Sequence, residues 1–145
     1  MNTTIQGIKS VFRHPDAGLL IIRVAVGIIM LVSGYKKLVA GAPVLHKIGA
    51  NIKYLGLDVG TDNMSTLFFG VLAAVVEALG GLLLMVGFFY RTSAFMMMMV
   101  MLVATLTKID NSGGNLSKFG YPMLVCLVLL GLLFTGPGRL SLQKD

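Results

Sequence analysis

Apolar positions fill four long blocks of this chain, separated by short polar stretches. The blocks cover residues 18–39, 66–89, 93–107 and 121–134. A bilayer core about 30 Å thick takes roughly 20 helical residues. The pattern therefore predicts an all-α integral membrane protein, a four-transmembrane-helix bundle forming one domain over residues 1–145. Inside the first block Arg23, Gly27, Met30, Gly34 and Lys37 recur at helical spacing and share a face. In the second, Gly70, Ala74, Glu77 and Gly81 do the same. Small residues on a membrane helix face let two backbones approach closely. The turn Tyr90-Arg91-Thr92 is tight, so the second and third spans are expected as antiparallel neighbours. Pro122 is read in the first turn of the fourth span, where its missing N–H is tolerated.

Between the blocks the pattern weakens without vanishing. Ile5, Ile8 and Phe12, mixed with Lys9 and Arg13, predict a short amphipathic segment on the membrane surface. It lacks the order of a cleavable signal and is expected to be retained. Val44, Leu45, Ile48, Ile52 and Leu55 recur at helical spacing within the connection Ala40–Met64. That predicts an interfacial helix of about Val44–Tyr54, then a glycine-rich turn. So long a connection in a small protein suggests a lid or a partner surface.

Composition agrees with the pattern. The chain is 56% hydrophobic and 12% charged, with mean hydropathy +0.87, against about 25% charged in soluble domains. A net charge of +6, spread over loops and tails, suits membrane lipid headgroups and argues against a nucleic-acid partner. It does not orient the chain. Lys9, Arg13, Arg91, Arg139 and Lys144 fall on one side, and Lys36, Lys37, Lys47, Lys53, Lys108 and Lys118 on the other. The long first connection, read as an outward-facing element, favours both termini in the cytoplasm.

The chemistry narrows to a few side chains. Cys126 is the single cysteine, which rules out an intrachain disulfide or a cysteine-ligated cluster. His14 and His46 lie outside the spans, so bis-histidine haem within the bundle is not expected. No metal-ligand spacing and no nucleotide-binding glycine loop occurs. The run Met96–Met99 points around the whole helix and reads as packing filler, not as soft-metal ligation. What remains is Glu77, an acid at the centre of an apolar span. Its insertion costs at least ~2.5 kcal/mol, which makes it the candidate catalytic or proton-handling group. Arg23 and Lys37 are equal candidates for its partner. They stand 14 residues apart on one helix, about 21 Å along the axis.

Three stretches together resemble the DoxX family: Ser33-Gly34-Tyr35-Lys36-Lys37-Leu38 preceded by Arg23, Glu77-Ala78-Leu79-Gly80-Gly81-Leu82-Leu83-Leu84 continuing through Gly87 to Arg91, and Gly136-Pro137-Gly138-Arg139-Leu140-Ser141-Leu142. The resemblance implies a small four-helix protein of the bacterial inner membrane, of a kind linked to thiosulfate:quinone oxidoreductase and thiol-stress complexes. It marks Arg23, Gly34, Lys37, Gly81 and Arg91 as candidate cofactor-binding positions around Glu77, with a quinone as the cofactor and no metal. The chain departs from the family pattern at Thr105-Leu106-Thr107-Lys108 and at Tyr121-Pro122, where proton-handling residues are common among members.

Three functions fit this reading. The first is a quinone-associated or membrane-anchor subunit of an oxidoreductase complex, dependent on a redox-protein partner for electrons. The second is a structural or partner-binding membrane protein without catalysis. The third is a small transporter subunit, which would need to form a homo-oligomer.

Overall fold

The computed structural model describes residues 15–61, 63–138 and 141. The N-terminal amphipathic segment, Arg139 and Lys144 lie outside the described residues. Among the described residues five α-helices and one 3-10 helix follow in order: α1 (Pro15–Val39), α2 (Ala42–Gly49), the 3-10 helix (Ala50–Leu55), α3 (Met64–Val86), α4 (Tyr90–Ser112) and α5 (Leu116–Thr135). Among the described residues α1, α3, α4 and α5 are long and apolar enough to cross a membrane. The protein is an all-α, multi-pass membrane protein. In lipid every backbone N–H and C=O must find an internal partner, so long helices are the form such sequences take.

The helix ends differ from the sequence expectation, for local reasons. The second span stops at Val86, not 89, because Gly87 takes a left-handed φ of 75° and its N–H bonds back to the Leu83 carbonyl at 2.8 Å. α4 starts directly after Phe89, itself left-handed at φ 46°, and runs five residues past the predicted end at 107, to Ser112. α5 starts at Leu116, not Tyr121, because the Asn115 side chain accepts the Ser117 N–H at 3.1 Å. Pro122 thus sits in the second turn, not the first. The carbonyl it leaves unbonded belongs to Lys118, an exposed residue near the helix start. The predicted interfacial helix Val44–Tyr54 is two pieces, α2 and the 3-10 helix.

Close backbone contacts set the packing. α1 runs antiparallel to α3, with Gly27 against Gly81 and Gly34 against Ala74 and Ala78. α2 continues that line along the first turns of α3: Leu45 meets Gly70, and Gly49 meets Thr66. A Cβ at Gly70 would overlap the Leu45 carbonyl, and one at Gly49 the Thr66 carbonyl. The hydroxyl of buried Thr66 secures this end. It accepts the Asn63 N–H at 3.0 Å, donates to the Asn63 carbonyl at 2.6 Å and meets His46 Nδ1 at 2.8 Å. Its single proton is committed to a carbonyl, so Nδ1 of His46 is the donor. α5 packs on α4, where Cys126 Sγ lies 3.7 Å from the Met98 carbonyl. Met30 of α1, Leu84 of α3, Met97 and Met101 of α4, and Leu129 and Leu132 of α5 form the central core. The methionine run divides as its helical spacing demands: Met97 is in the core, while Met96 and Met99 face a cavity.

Candidate functional site

Glu77 is wholly buried on α3, between Ala74 and Gly81. Lys37 Nζ donates to both of its carboxylate oxygens, at 2.5 Å to Oε1 and 2.6 Å to Oε2. Ser33, one turn before Lys37 on α1, donates its hydroxyl to Oε2 at 3.1 Å. The carboxylate accepts three hydrogen bonds, two of them charge-assisted, which is how a buried charge becomes tolerable. Gly34 makes the arrangement possible. A Cβ there would sit 2.5 Å from backbone atoms of Ala74 and Ala78, so only glycine lets α1 come near enough for a short Ser33 side chain to reach Glu77. Gly81 serves the same approach one turn further along, against the Gly27 carbonyl.

Of the two candidate partners, Lys37 is the one that pairs with Glu77. Arg23 is only 1% exposed and lies at the other end of the α1–α3 contact. Its Nε donates to the Leu84 carbonyl at 3.2 Å, Nη2 to the Met85 carbonyl at 3.4 Å and Nη1 to the Pro137 carbonyl at 2.5 Å. Its guanidinium also covers the Tyr90 ring, 5.3 Å from the centroid. The last carbonyls of a helix have no partner within it, and in an apolar setting a forked cation satisfies them well. Gly87 is required beside it twice over: its φ is left-handed, and a Cβ would overlap Nη2 of Arg23. Tyr90 completes this end by donating to the Leu132 carbonyl of α5 at 2.9 Å. Arg91 sits in the first turn of α4, exposed, at this same end. Glu77, Lys37 and Gly34 therefore form one cluster with Gly81 a turn away, and Arg23 and Arg91 stand apart from it.

The cluster backs a cavity of about 350 Å³ bounded by α3, α4 and the 3-10 helix. α4 supplies a stripe at helical spacing, Met96, Met99, Val100, Val103, Ala104 and Thr107. Phe69, Leu72, Ala73 and Val76 line the α3 side, and Asn51, Ile52 and Leu55 the third wall. The walls are almost wholly apolar, with Lys37–Glu77 toward one end and Lys108 at the other. Glu77 has no exposed surface, whereas 26% of the Lys37 side chain is exposed. Lys37 therefore presents the polar atom at that wall, with Glu77 behind it. An ammonium has three N–H donors. Two are spent on Glu77, which leaves one. Because the pair is formally neutral, it favours an uncharged oxygen acceptor over an anion.

Ser33 was not read as a partner of Glu77, although it opens the first of the family-like stretches and stands four residues before Lys37. Among the described residues no group of three or more His, Cys, Asp or Glu could hold a metal ion. Outside the spans, Tyr54 of the 3-10 helix donates to Asp110 Oδ2 at 2.6 Å, which pushes the phenol's pKa above its usual value, with burial adding to the rise.

No curated protein and no solved structure matches the chain. The family model for DoxX matches residues 18–109, from the first turns of α1 to the last turn of α4. With more than half its length matched, and with the four apolar helices the family resemblance implied, the chain belongs to the DoxX family.

Proposed function

We propose that the protein binds a quinone in the cavity beside Lys37 and Glu77 and serves as the membrane subunit of a redox complex. The observation that carries this reading is the neutralised Lys37–Glu77 pair, with two of the ammonium's three donors spent, in the lining of a largely apolar cavity. Such sites, mostly apolar with a few convergent polar groups, are typical of small-molecule binding. A quinone combines an uncharged carbonyl head with an apolar ring and tail, and both halves suit these walls. Lys37 would donate its remaining N–H to a ring carbonyl, and Glu77 would hold the ammonium in place. Reduction of a quinone to a quinol takes up two electrons and two protons. Residues of this cluster handle protons only, and one cysteine and two histidines do not build an electron-carrying centre. The electrons in this reading come from a partner protein. The setting is the bacterial inner membrane, with both termini cytoplasmic. An even number of spans, which puts the two termini on one side, is compatible with that orientation.

The reading is tested by purifying the protein with its native lipid and analysing an organic extract for quinones by chromatography and mass spectrometry. Near-stoichiometric quinone is expected, and saturable binding of a short-chain quinone by the delipidated protein. Ala104→Trp, which fills the cavity from the α4 wall, should abolish both. A quinone-free extract with no saturable binding refutes the reading, as does undiminished binding in the filled variant.

A further inference from the structure

We propose that the 3-10 helix Ala50–Leu55 is a movable flap over the Lys108 end of the cavity, held down by the Tyr54–Asp110 hydrogen bond. The inference rests on the cavity being the ligand site. The flap forms part of one wall, through Asn51, Ile52 and Leu55, beside Ile48 and Gly49 at the end of α2. The other two walls are membrane-spanning helices, fixed by the core and by the glycine contacts of α1 with α3. The flap lacks such fixing, since none of its six residues is buried. Its i→i+3 hydrogen bonds are the poorer kind, used in short pieces that often mark hinges.

Its two ends differ in a way that suits a gate. At Gly49 the chain is pinned, because that residue lies directly against the Thr66 carbonyl and α2 is held there by His46. At Gly56 the chain turns with φ 85°, a left-handed value that glycine adopts without strain, and a Cβ at that position would meet nothing within 4 Å. The flap can pivot at Ala50 and swing about Gly56 without disturbing the packed helices. Its side-chain tie to α4 is the bond from Tyr54 Oη to Asp110, a short contact on an exposed surface. Asp110 lies two residues past Lys108, at the cavity end furthest from Glu77. Opening there lets a ligand enter from the outer end and run inward along the α4 stripe until its head reaches Lys37.

A latch of this kind changes rates, not affinity, because it shifts the closed–open balance for entry and exit alike. The test uses Tyr54→Phe and Asp110→Asn in a Cys126→Ser background carrying a reporter thiol, Val103→Cys, on the cavity wall. Losing one exposed hydrogen bond should speed maleimide labelling of that thiol about fivefold. Exchange of a bound short-chain quinone should quicken by the same factor, with its Kd unchanged within about twofold. Unchanged labelling and exchange in both variants overturn the gate even if quinone binds normally. Faster labelling in protein that binds no quinone upholds the gate and overturns the quinone reading instead.

Discussion

Removing Lys37 should cost far more than removing Glu77, although the two form one ion pair. At an effective dielectric constant of about 20, unit charges ~3 Å apart attract by about 5 kcal/mol. Taking both charges out of water consumes most of that. What matters is the state each single substitution leaves behind. Lys37→Met leaves a carboxylate with no exposed surface and only the Ser33 hydroxyl bonded to it. Stranding a buried ion costs about 3–5 kcal/mol, and partial access of the Lys37 site to solvent sets the expected value at the lower limit, about 3 kcal/mol. Glu77→Leu leaves an ammonium whose side chain is already 26% exposed. It can turn to water, so the loss should be about 1 kcal/mol. The double variant Lys37→Met/Glu77→Leu should return to within about 1 kcal/mol of the parent, since apolar replacement of a buried pair is often neutral. In thermal unfolding followed by circular dichroism in detergent, these values correspond to a Tm lower by ~10 °C for Lys37→Met and by ~3 °C for Glu77→Leu. Equal shifts for the two single variants, or a double variant worse than Lys37→Met, would show that the carboxylate is not held by Lys37.

Other substitutions probe the remaining contacts by the same measurement. Arg23→Lys should lose about 2 kcal/mol, because one ammonium cannot reproduce the forked contacts to the carbonyls of Leu84, Met85 and Pro137. A parental Tm for that variant would mean those carbonyls need no cap. Gly70→Ala should be severely destabilising, ~3 kcal/mol or more, because its Cβ meets the Leu45 backbone; Gly131→Ala, where nothing lies within 4 Å, should be neutral or stabilising by up to ~1 kcal/mol. Tyr54 should titrate above the usual tyrosine range, since ionising it removes the proton it donates to Asp110 and sets two negative charges together. Its folded pKa is raised, so the latch's contribution is complete below the unfolded value near 10 and is lost as pH rises through the folded one. The difference in absorbance at 295 nm between the parent and Tyr54→Phe should report this phenol's titration, and Asp110→Asn should return it toward the ordinary range.

Spacing along the chain made the interior faces legible. Arg23, Gly27, Met30 and Gly34 on α1, and Gly70, Ala74, Glu77 and Gly81 on α3, are all buried. What spacing could not reveal was the axial register between the two helices. Placing Glu77 at mid-depth left Arg23 and Lys37 as equals. The register depends on which glycine meets which backbone. Gly34 against Ala74 and Ala78 puts Lys37 within reach of Glu77, and Gly27 against Gly81 and Met85 puts Arg23 at the end of α3. Helix ends were misjudged where a single residue overrides hydropathy: Gly87 stops α3 inside an apolar run, and Asn115 starts α5 inside a polar one. The walls of the cavity could not be named from spacing, because its third wall belongs to the connection between spans, read as an interfacial helix and as a lid or partner surface.

The two cations of α1 solve different problems, and the difference explains why the polar cluster can serve a ligand. Arg23 is enclosed. Three of its five N–H donors reach carbonyls, its face covers Tyr90, and only 1% of it is exposed. A residue so enclosed is out of reach of a guest. Lys37 is used only in part. Its pairing with Glu77 takes two of three donors and cancels the charge, while a quarter of the side chain stays exposed and the residue lines a largely apolar cavity. Had the positions been exchanged, a forked guanidinium on Glu77 would fill the carboxylate bidentately, and a lone ammonium at the α3 terminus would leave carbonyls unbonded. The fold thus places its rigid, multidentate cation where backbone must be satisfied, and its compact, rotatable one where an additional acceptor can be taken up.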